Sequence, residues 1–219
     1  MVPDSFEWGA AGEEREPRHP FDSLMVMTAP ADPANDARPT AILVVGAPAS
    51  GKSTVGRLLA ERLRPGAFIE GDTLWQMVVG GREDMGDPPT EAALAQLELR
   101  YRHGAMLSRS FVEAGISAVH VDNIFGDGVT AQLDRMQGRR ALVVLRPSVE
   151  AIVRRETERG TGAYEAWIGD GTLADAVRTF DGWLGEAPPV GLWVDSTGQS
   201  PEETVDWIMD RWDAALIGD

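Results

Sequence analysis

The chain has no cysteine, which rules out disulfide frameworks and thiolate metal sites and fits a reducing compartment. Lysine is nearly absent as well: of the 20 basic residues only Lys52 is lysine, and the rest are arginine. Positive charge as a whole is scarce, with 20 basic against 35 acidic residues and a net charge of −15. So acidic a surface repels nucleic-acid phosphates and anionic lipid headgroups. Neither nucleic acid nor a membrane is therefore an expected partner, and any anion must be held by a local site. Also missing are an apolar run approaching the roughly 20 residues of a membrane span and the basic-then-apolar layout of a signal peptide. These absences lead to the expectation of a cytoplasmic protein. What remains, 219 residues at 43% hydrophobic and 25% charged, suits one α/β domain with an appendage.

Residues 1–38 are rich in Pro, Asp, Glu, Arg and Ala without sustained periodicity, and are expected to be a poorly ordered tail. From residue 39 onward strand and helix signals alternate. The apolar run 41–45 predicts a strand buried on both faces, and 67–69, 117–121, 141–145 and 191–194 predict four more. Helical spacing marks 53–63, with Val55, Leu58, Leu59 and Leu63 inward, and 90–113, with Leu94, Leu97, Tyr101, Leu107 and Phe111 in register. Shorter helices fit 130–136, 148–158 and 172–184. A last one opens at Pro201 with Ser200 as cap and Trp207, Ile208 and Leu216 inward. Alternating strands and helices imply a five-stranded parallel sheet with helices on both faces.

The solitary lysine lies in Gly46-Ala47-Pro48-Ala49-Ser50-Gly51-Lys52-Ser53-Thr54, which satisfies G-x-x-x-x-G-K-[ST]. Glycines let the backbone curl so that successive N–H groups point inward, and the following helix adds its positive end. In such a loop Lys52 bridges the β- and γ-phosphates of ATP and Ser53 ligates Mg²⁺. A compact ammonium fits that cradle where a guanidinium fork does not. The motif lies between a buried strand and a helix, as its chemistry requires, and predicts a three-layer P-loop NTPase fold. With one lysine in the chain, the Asn-Lys-x-Asp loop that reads guanine cannot be present, and the Leu-Ser-Gly-Gly-Gln signature of transporter ATPases is missing. A small kinase with a lid is the remaining plan.

Ligands in an open parallel sheet sit beyond the carboxyl ends of the strands, and two carboxylates fall there. Asp72 follows the second strand, as a base toward an acceptor hydroxyl or as a helix N-cap. Asp122 ends the third, as a magnesium-holding acid or a turn residue. His120 reads as a packing residue, and Trp75, Met77 and Tyr101 as core or acceptor pocket. Arg155 and Arg159, four apart before the flexible Gly160-Thr161-Gly162, share a helix face. As a lid pair, Arg155 would stack on adenine and Arg159 would clamp the transferring phosphoryl. The alternative is ion pairing with Glu150, Glu156 or Glu158.

Taken together, the cradle and Glu70-Gly71-Asp72-Thr73-Leu74 resemble the gluconate and shikimate kinase branch of the P-loop phosphotransferases. The run Glu113-Ala114-Gly115-Ile116-Ser117-Ala118-Val119-His120-Val121-Asp122-Asn123-Ile124-Phe125 is similar to chloramphenicol phosphotransferase, as are Arg155-Glu156-Thr157-Glu158-Arg159-Gly160 and Val194-Asp195-Ser196-Thr197. The resemblance spans roughly 41–210 and implies ATP- and Mg²⁺-dependent phosphorylation of a small-molecule hydroxyl. It assigns Asp72 as base, Lys52 and Arg159 as catalytic partners, residues 46–54 with Arg155 as the nucleotide site, and Ser53 with Asp122 as the metal site. Asn123 departs from the family's paired aspartates, and 78–89 has no counterpart there; that segment is expected to border the acceptor pocket. A carbohydrate or nucleoside kinase, or a regulatory ATPase, are the alternatives.

Overall fold

The computed structural model describes residues 38–218. The expected tail, residues 1–38, lies outside the described residues except for Arg38. Strand β1 (Ala41–Gly46) is buried at every position, as its unbroken apolar run requires of a strand covered on both faces. After it come α1 (Lys52–Arg62), β2 (Gly66–Glu70), α2 (Gly71–Gln76), α3 (Glu91–Glu113) and β3 (Ser117–Asp122). The chain continues through α4 (Asp127–Met136), β4 (Arg140–Leu145), α5 (Val149–Arg159), α6 (Glu165–Ile168) and α7 (Leu173–Gly185). It ends with β5 (Leu192–Val194), α8 (Pro201–Asp210), α9 (Trp212–Ala215) and β6 (Leu216–Ile217).

The five expected strands form one parallel sheet in the order β2-β3-β1-β4-β5. The two-residue β6 joins it antiparallel to the start of β4, pairing Arg140 with Ile217 and Ala141 with Leu216. Leu216 thus reaches the core from a strand rather than from the last helix. Register sets the site: Val45 pairs with Asp122 and Gly46 with Leu145, so the loop after β1 and the end of β3 lie side by side. The strand order reverses on either side of β1, the place where open α/β sheets bind ligands.

Each sheet face carries its own core. Ile42, Val44, Val119, Val121, Val143 and Leu145 meet Val55 and Leu59 of α1 and Val205 and Ile208 of α8. Leu43, Val45, Leu142 and Val144 meet Ala105 of α3, Val129, Leu133 and Met136 of α4 and Leu184 of α7. Four helices open on hydroxyl caps whose oxygens accept a backbone N–H: Thr90, Ser148, Thr172 and Ser200. Each such cap is typically worth about 1 kcal/mol.

Helix α3 keeps part of its predicted apolar stripe, with Tyr101, Leu107 and Phe111 packed against the core. Leu94 is exposed, and the buried positions are small: Ala93, Gly104, Ala105 and Ser108. Small residues bring the helix axis close to β3. A Cβ on Gly104 would lie 2.2 Å from the His120 ring, so only glycine allows that approach.

Candidate active site

Residues 46–54 leave β1 and enter α1 as a tight loop. Ala49 and Gly51 take positive φ angles of 59° and 98° to turn it. Side chains fasten its carbonyls: Lys52 Nζ donates to Ala47 O at 3.4 Å, the Tyr164 hydroxyl to Pro48 O at 2.8 Å and Arg155 Nη1 to Ser50 O at 3.1 Å. Among the described residues, no acceptor faces the amides of Ala49, Gly51, Lys52 and Ser53. Helix α1 also lacks a side-chain cap and an acidic residue in its first turn, whereas α3, α5, α7 and α8 have both. Its N-terminal partial charge is therefore left for an incoming anion.

Burial pushes the Lys52 amine down to about 8, with Arg100 and Arg159 adding to the effect and Asp72 and Asp122 opposing it. An arriving polyphosphate would reverse that shift by placing opposite charge against the ammonium.

Opposite the loop, Asp72 lies in the first turn of α2, whose N-cap is Glu70 without a side-chain cap bond. The capping alternative for Asp72 is therefore not what the fold uses. Its side chain is exposed, and Arg100 Nη1 donates to its Oδ1 at 3.4 Å. Asp122 is buried below. Arg100 grips it with both arms of the guanidinium: Nε donates to Oδ2 at 3.1 Å and Nη2 donates to Oδ1. The amide of Asn123 donates to Oδ1 at 2.7 Å, and His120 Nε2 lies 3.5 Å from Oδ2. Burial alone would push the Asp122 carboxyl up, but Arg100 and the His120 ring hold it below the usual carboxylate range. Burial likewise opposes the Arg100 charge, yet Asp122, Tyr101 and Asp72 raise it above its ordinary value. Gly71 is the hinge of this packing, because a Cβ there would fall 2.2 Å from the Asp122 carboxylate.

Arg100 carries no motif, and the sequence reading missed it. One signal existed: Leu97, Arg100, Tyr101 and Gly104 fall at i, i+3, i+4 and i+7, so the arginine lies on the inward stripe of α3. A charge on such a stripe needs a buried partner.

A cleft of roughly 830 Å³ unites these parts. Lys52, Ser53, Asp72, Arg100 and Arg159 line it, with Pro48 and Ala49 of the loop. Asp122 lies behind its wall rather than on it. Trp75 and Tyr101 line the cleft as pocket residues, whereas Met77 is exposed and does not. Glu83, Asp84 and Met85, from the segment without a family counterpart, form part of the rim. Between α5 and α7, Tyr164 is buried under the loop and Trp167 faces the cleft; neither carried a sequence signal. Glu156 secures this lid segment by accepting from the Thr161 hydroxyl at 2.6 Å and from the Ala163 amide at 3.0 Å.

The two lid arginines part company. Arg159 lines the cleft. Arg155 lies on the other side of the loop, bridging Ser50 O and Ser196 O, the latter at 2.9 Å. Among the described residues neither pairs with Glu150, Glu156 or Glu158, so the ion-pair alternative finds no support in the geometry.

No protein-family model matches the chain and no curated protein matches it. Solved structures do. A sugar kinase from Janibacter sp. is similar at 18% identity and a TM-score of 0.57, covering 81% of this chain and 96% of that one. Shikimate kinase from Acinetobacter baumannii, solved with shikimate, is similar at 16% identity and a TM-score of 0.56, covering 80% of this chain and 93% of that one. APS kinase from Mycobacterium tuberculosis, solved with AMPPNP and APS, is similar at 16% identity and a TM-score of 0.57, covering 80% of this chain and 98% of that one. These likenesses establish the α/β fold of P-loop kinases. Among the described residues no helix is long and apolar enough to cross a membrane.

Proposed function

We propose that the chain is an ATP-dependent phosphotransferase, one that moves the γ-phosphoryl group of ATP to a hydroxyl of a small organic molecule. The observation that carries this reading is the single cleft in which Lys52 and Ser53 face Asp72 and Arg159. The resemblance to the chloramphenicol phosphotransferase-like family supports the alcohol acceptor, and the APS kinase solved with AMPPNP supports the nucleotide.

In this reading the free amides of Ala49, Gly51, Lys52 and Ser53 cradle the phosphates and Lys52 neutralises their charge. Asp72 accepts the acceptor's proton, and Arg159 stabilises charge on the transferring group. Arg155 spends its in-plane N–H donors on Ser50 O and Ser196 O. Those bonds use only the edge of the guanidinium, so stacking of adenine on its face would break neither contact. Mg²⁺ suits the donor set, because it prefers oxygen and keeps several waters. The Ser53 hydroxyl would hold it directly. Asp122, both of whose oxygens are already engaged, would act through water. When bound, the ion neutralises charge on the β- and γ-phosphates.

ATP turnover measured with and without a panel of hydroxylated small molecules tests the proposal. ADP release stimulated by an acceptor supports it; a slow rate indifferent to every acceptor favours a regulatory ATPase. Lys52→Ala is expected to weaken ATP binding by about 1.5–3 kcal/mol in a protein that stays folded. Unchanged affinity by calorimetry would sink the cradle assignment.

A pH dependence follows from the free Lys52 amine near 8. Phosphate contact raises that value, so binding takes up a proton wherever free Lys52 is neutral. ATP affinity is expected to hold between about pH 7 and 8. It should then fall by up to about tenfold per unit as pH rises from the free toward the bound value. Affinity that is level to about pH 9.5 would contradict the shift.

A further inference from the structure

We infer that Tyr164 is a positioning residue of the phosphate cradle: by holding the Pro48 carbonyl, it aims the Ala49 amide at the incoming phosphate. The inference rests on the nucleotide reading above and deepens it.

A trans peptide unit is planar, and its C=O and N–H point in opposite directions. Whatever grips the carbonyl of one residue therefore sets where the amide of the next residue points. Lys52 and Ser53 need no outside grip, because they open α1 and the helix aims their amides. Its first turn begins with Val55 N donating to Gly51 O at 3.0 Å, which fixes the peptide that carries the Lys52 amide. The loop ahead of the helix has no such ladder. Pro48 has no N–H to offer, and the Ser50 amide is spent on Ala47 O at 3.1 Å. That leaves Ala49 and Gly51 among the unbonded cradle amides, and each follows a carbonyl held by a distant side chain. Arg155 Nη1 donates to Ser50 O at 3.1 Å, ahead of Gly51. The Tyr164 hydroxyl donates to Pro48 O at 2.8 Å, ahead of Ala49.

The Tyr164 grip has the harder task. Ala49 takes a φ of 59° without being glycine, a left-handed conformation that a Cβ disfavours. Its backbone has to be held there by its surroundings. Tyr164 is itself well fixed. Its ring is buried in the core of Ile152, Ala176, Val177 and Phe180 that also takes in Ala47 and Ala49. It packs edge to face on Phe180 with centroids 5.0 Å apart. Burial, with Glu156 adding to it, pushes the phenol well up from its ordinary value, which keeps the proton on the oxygen as a donor. Packing alone does not call for that oxygen, since phenylalanine would fill the same space and leave no polar group to satisfy. What the oxygen adds is the bond to the loop.

The lid thereby reaches the cradle. Tyr164 follows directly on the segment that Glu156 secures through the Thr161 hydroxyl and the Ala163 amide.

The test compares Tyr164→Phe with the wild-type full chain, using tripolyphosphate and MgAMPPNP as probes. Tripolyphosphate meets the cradle without an adenine. By calorimetry both probes are expected to bind Tyr164→Phe roughly tenfold more weakly, the worth of about one hydrogen bond to a charged group. A ¹⁵N-labelled chain gives the finer readout. In the wild type the Ala49, Gly51, Lys52 and Ser53 amide resonances should all move when tripolyphosphate is added. In Tyr164→Phe the Ala49 response should shrink while the others persist, a selectivity that general loosening of the core would not produce. Unchanged affinity in Tyr164→Phe, or equal attenuation of all these amides, overturns the inference. So does an Ala49 resonance that tripolyphosphate leaves unmoved in the wild-type chain, an outcome that needs no variant to fold. A wild-type chain that binds neither probe overturns the nucleotide reading itself, whereas binding that is indifferent to Tyr164→Phe overturns only the role of the hydroxyl.

Discussion

Asp72→Asn is expected to cut transfer to the acceptor by roughly 10²–10⁴, the range typical of removing a general base, while MgATP still binds. Asparagine keeps the shape of the side chain and can still accept the Arg100 hydrogen bond, which spans 3.4 Å in the native chain. What it loses is the ability to take a proton. Asp72 is exposed and is not the N-cap of α2, so the substitution removes neither a buried charge nor a cap. Its effect should therefore appear in turnover rather than in folding. Phosphoryl transfer with a loose transition state releases the hydroxyl proton late, and a base that chiefly orients the acceptor would leave the loss near the lower end. Asp122→Asn provides the contrast, with an expected rise in the Mg²⁺ concentration needed for half-maximal rate. Full turnover by Asp72→Asn together with a dead Asp122→Asn would exchange the two roles.

The second large effect concerns folding. Arg100→Met should destabilise the chain by about 3–5 kcal/mol, the cost of breaking a buried ion pair from one side. The Arg100 side chain is 10% exposed and that of Asp122 only 1%, so the substitution leaves a buried carboxylate without its charged partner. Asp122 would then lie in the interior with only the Asn123 amide and His120 beside it. Adding Asp122→Asn to Arg100→Met removes the stranded charge and should recover part of the loss. Urea unfolding of both variants checks this. A loss below about 1 kcal/mol for the single variant would mean that the pair contributes little and that Asp122 is stabilised by its other neighbours.

The parts of the molecule read correctly from sequence are those whose cause is local. The apolar run of β1, the glycine and lysine spacing of the loop and the hydroxyl cap at Ser200 each lie within one short window. The parts that escaped depend on distant partners. Arg100 meets Asp122 and Asp72 at separations of 22 and 28 residues, and Tyr164 reaches Pro48 across 116. No periodicity records such pairings. Helix α3 was read only in part: Leu107 and Phe111 of the expected stripe pack against Ala118 of β3, but the fully buried positions of the helix are glycine, alanine and serine. Leu94 follows the same spacing and faces solvent, whereas Ala93 beside it is buried. Leu216 was placed on the last helix because its spacing from Ile208 fits one. The break into α9 and β6 arises from pairing with β4, which only the assembled sheet reveals.

Gly104 and Gly71 restrict the order in which this site can change over generations. The space a methyl group would need at position 104 is filled by the His120 ring, and at position 71 by the Asp122 carboxylate, in both cases at 2.2 Å. A lineage cannot acquire a side chain at either glycine until the residue opposite has become smaller, because the intermediate carries a clash within close-packed interior. The reverse order is open, but it first removes the carboxylate that pairs with Arg100 or the ring beside it. Drift through this quarter of the molecule therefore has a direction. Descendants that alter the floor of the cleft should do so at positions 120 and 122 before 104 and 71, and laboratory selection from this sequence should recover the changes in that sequence of events.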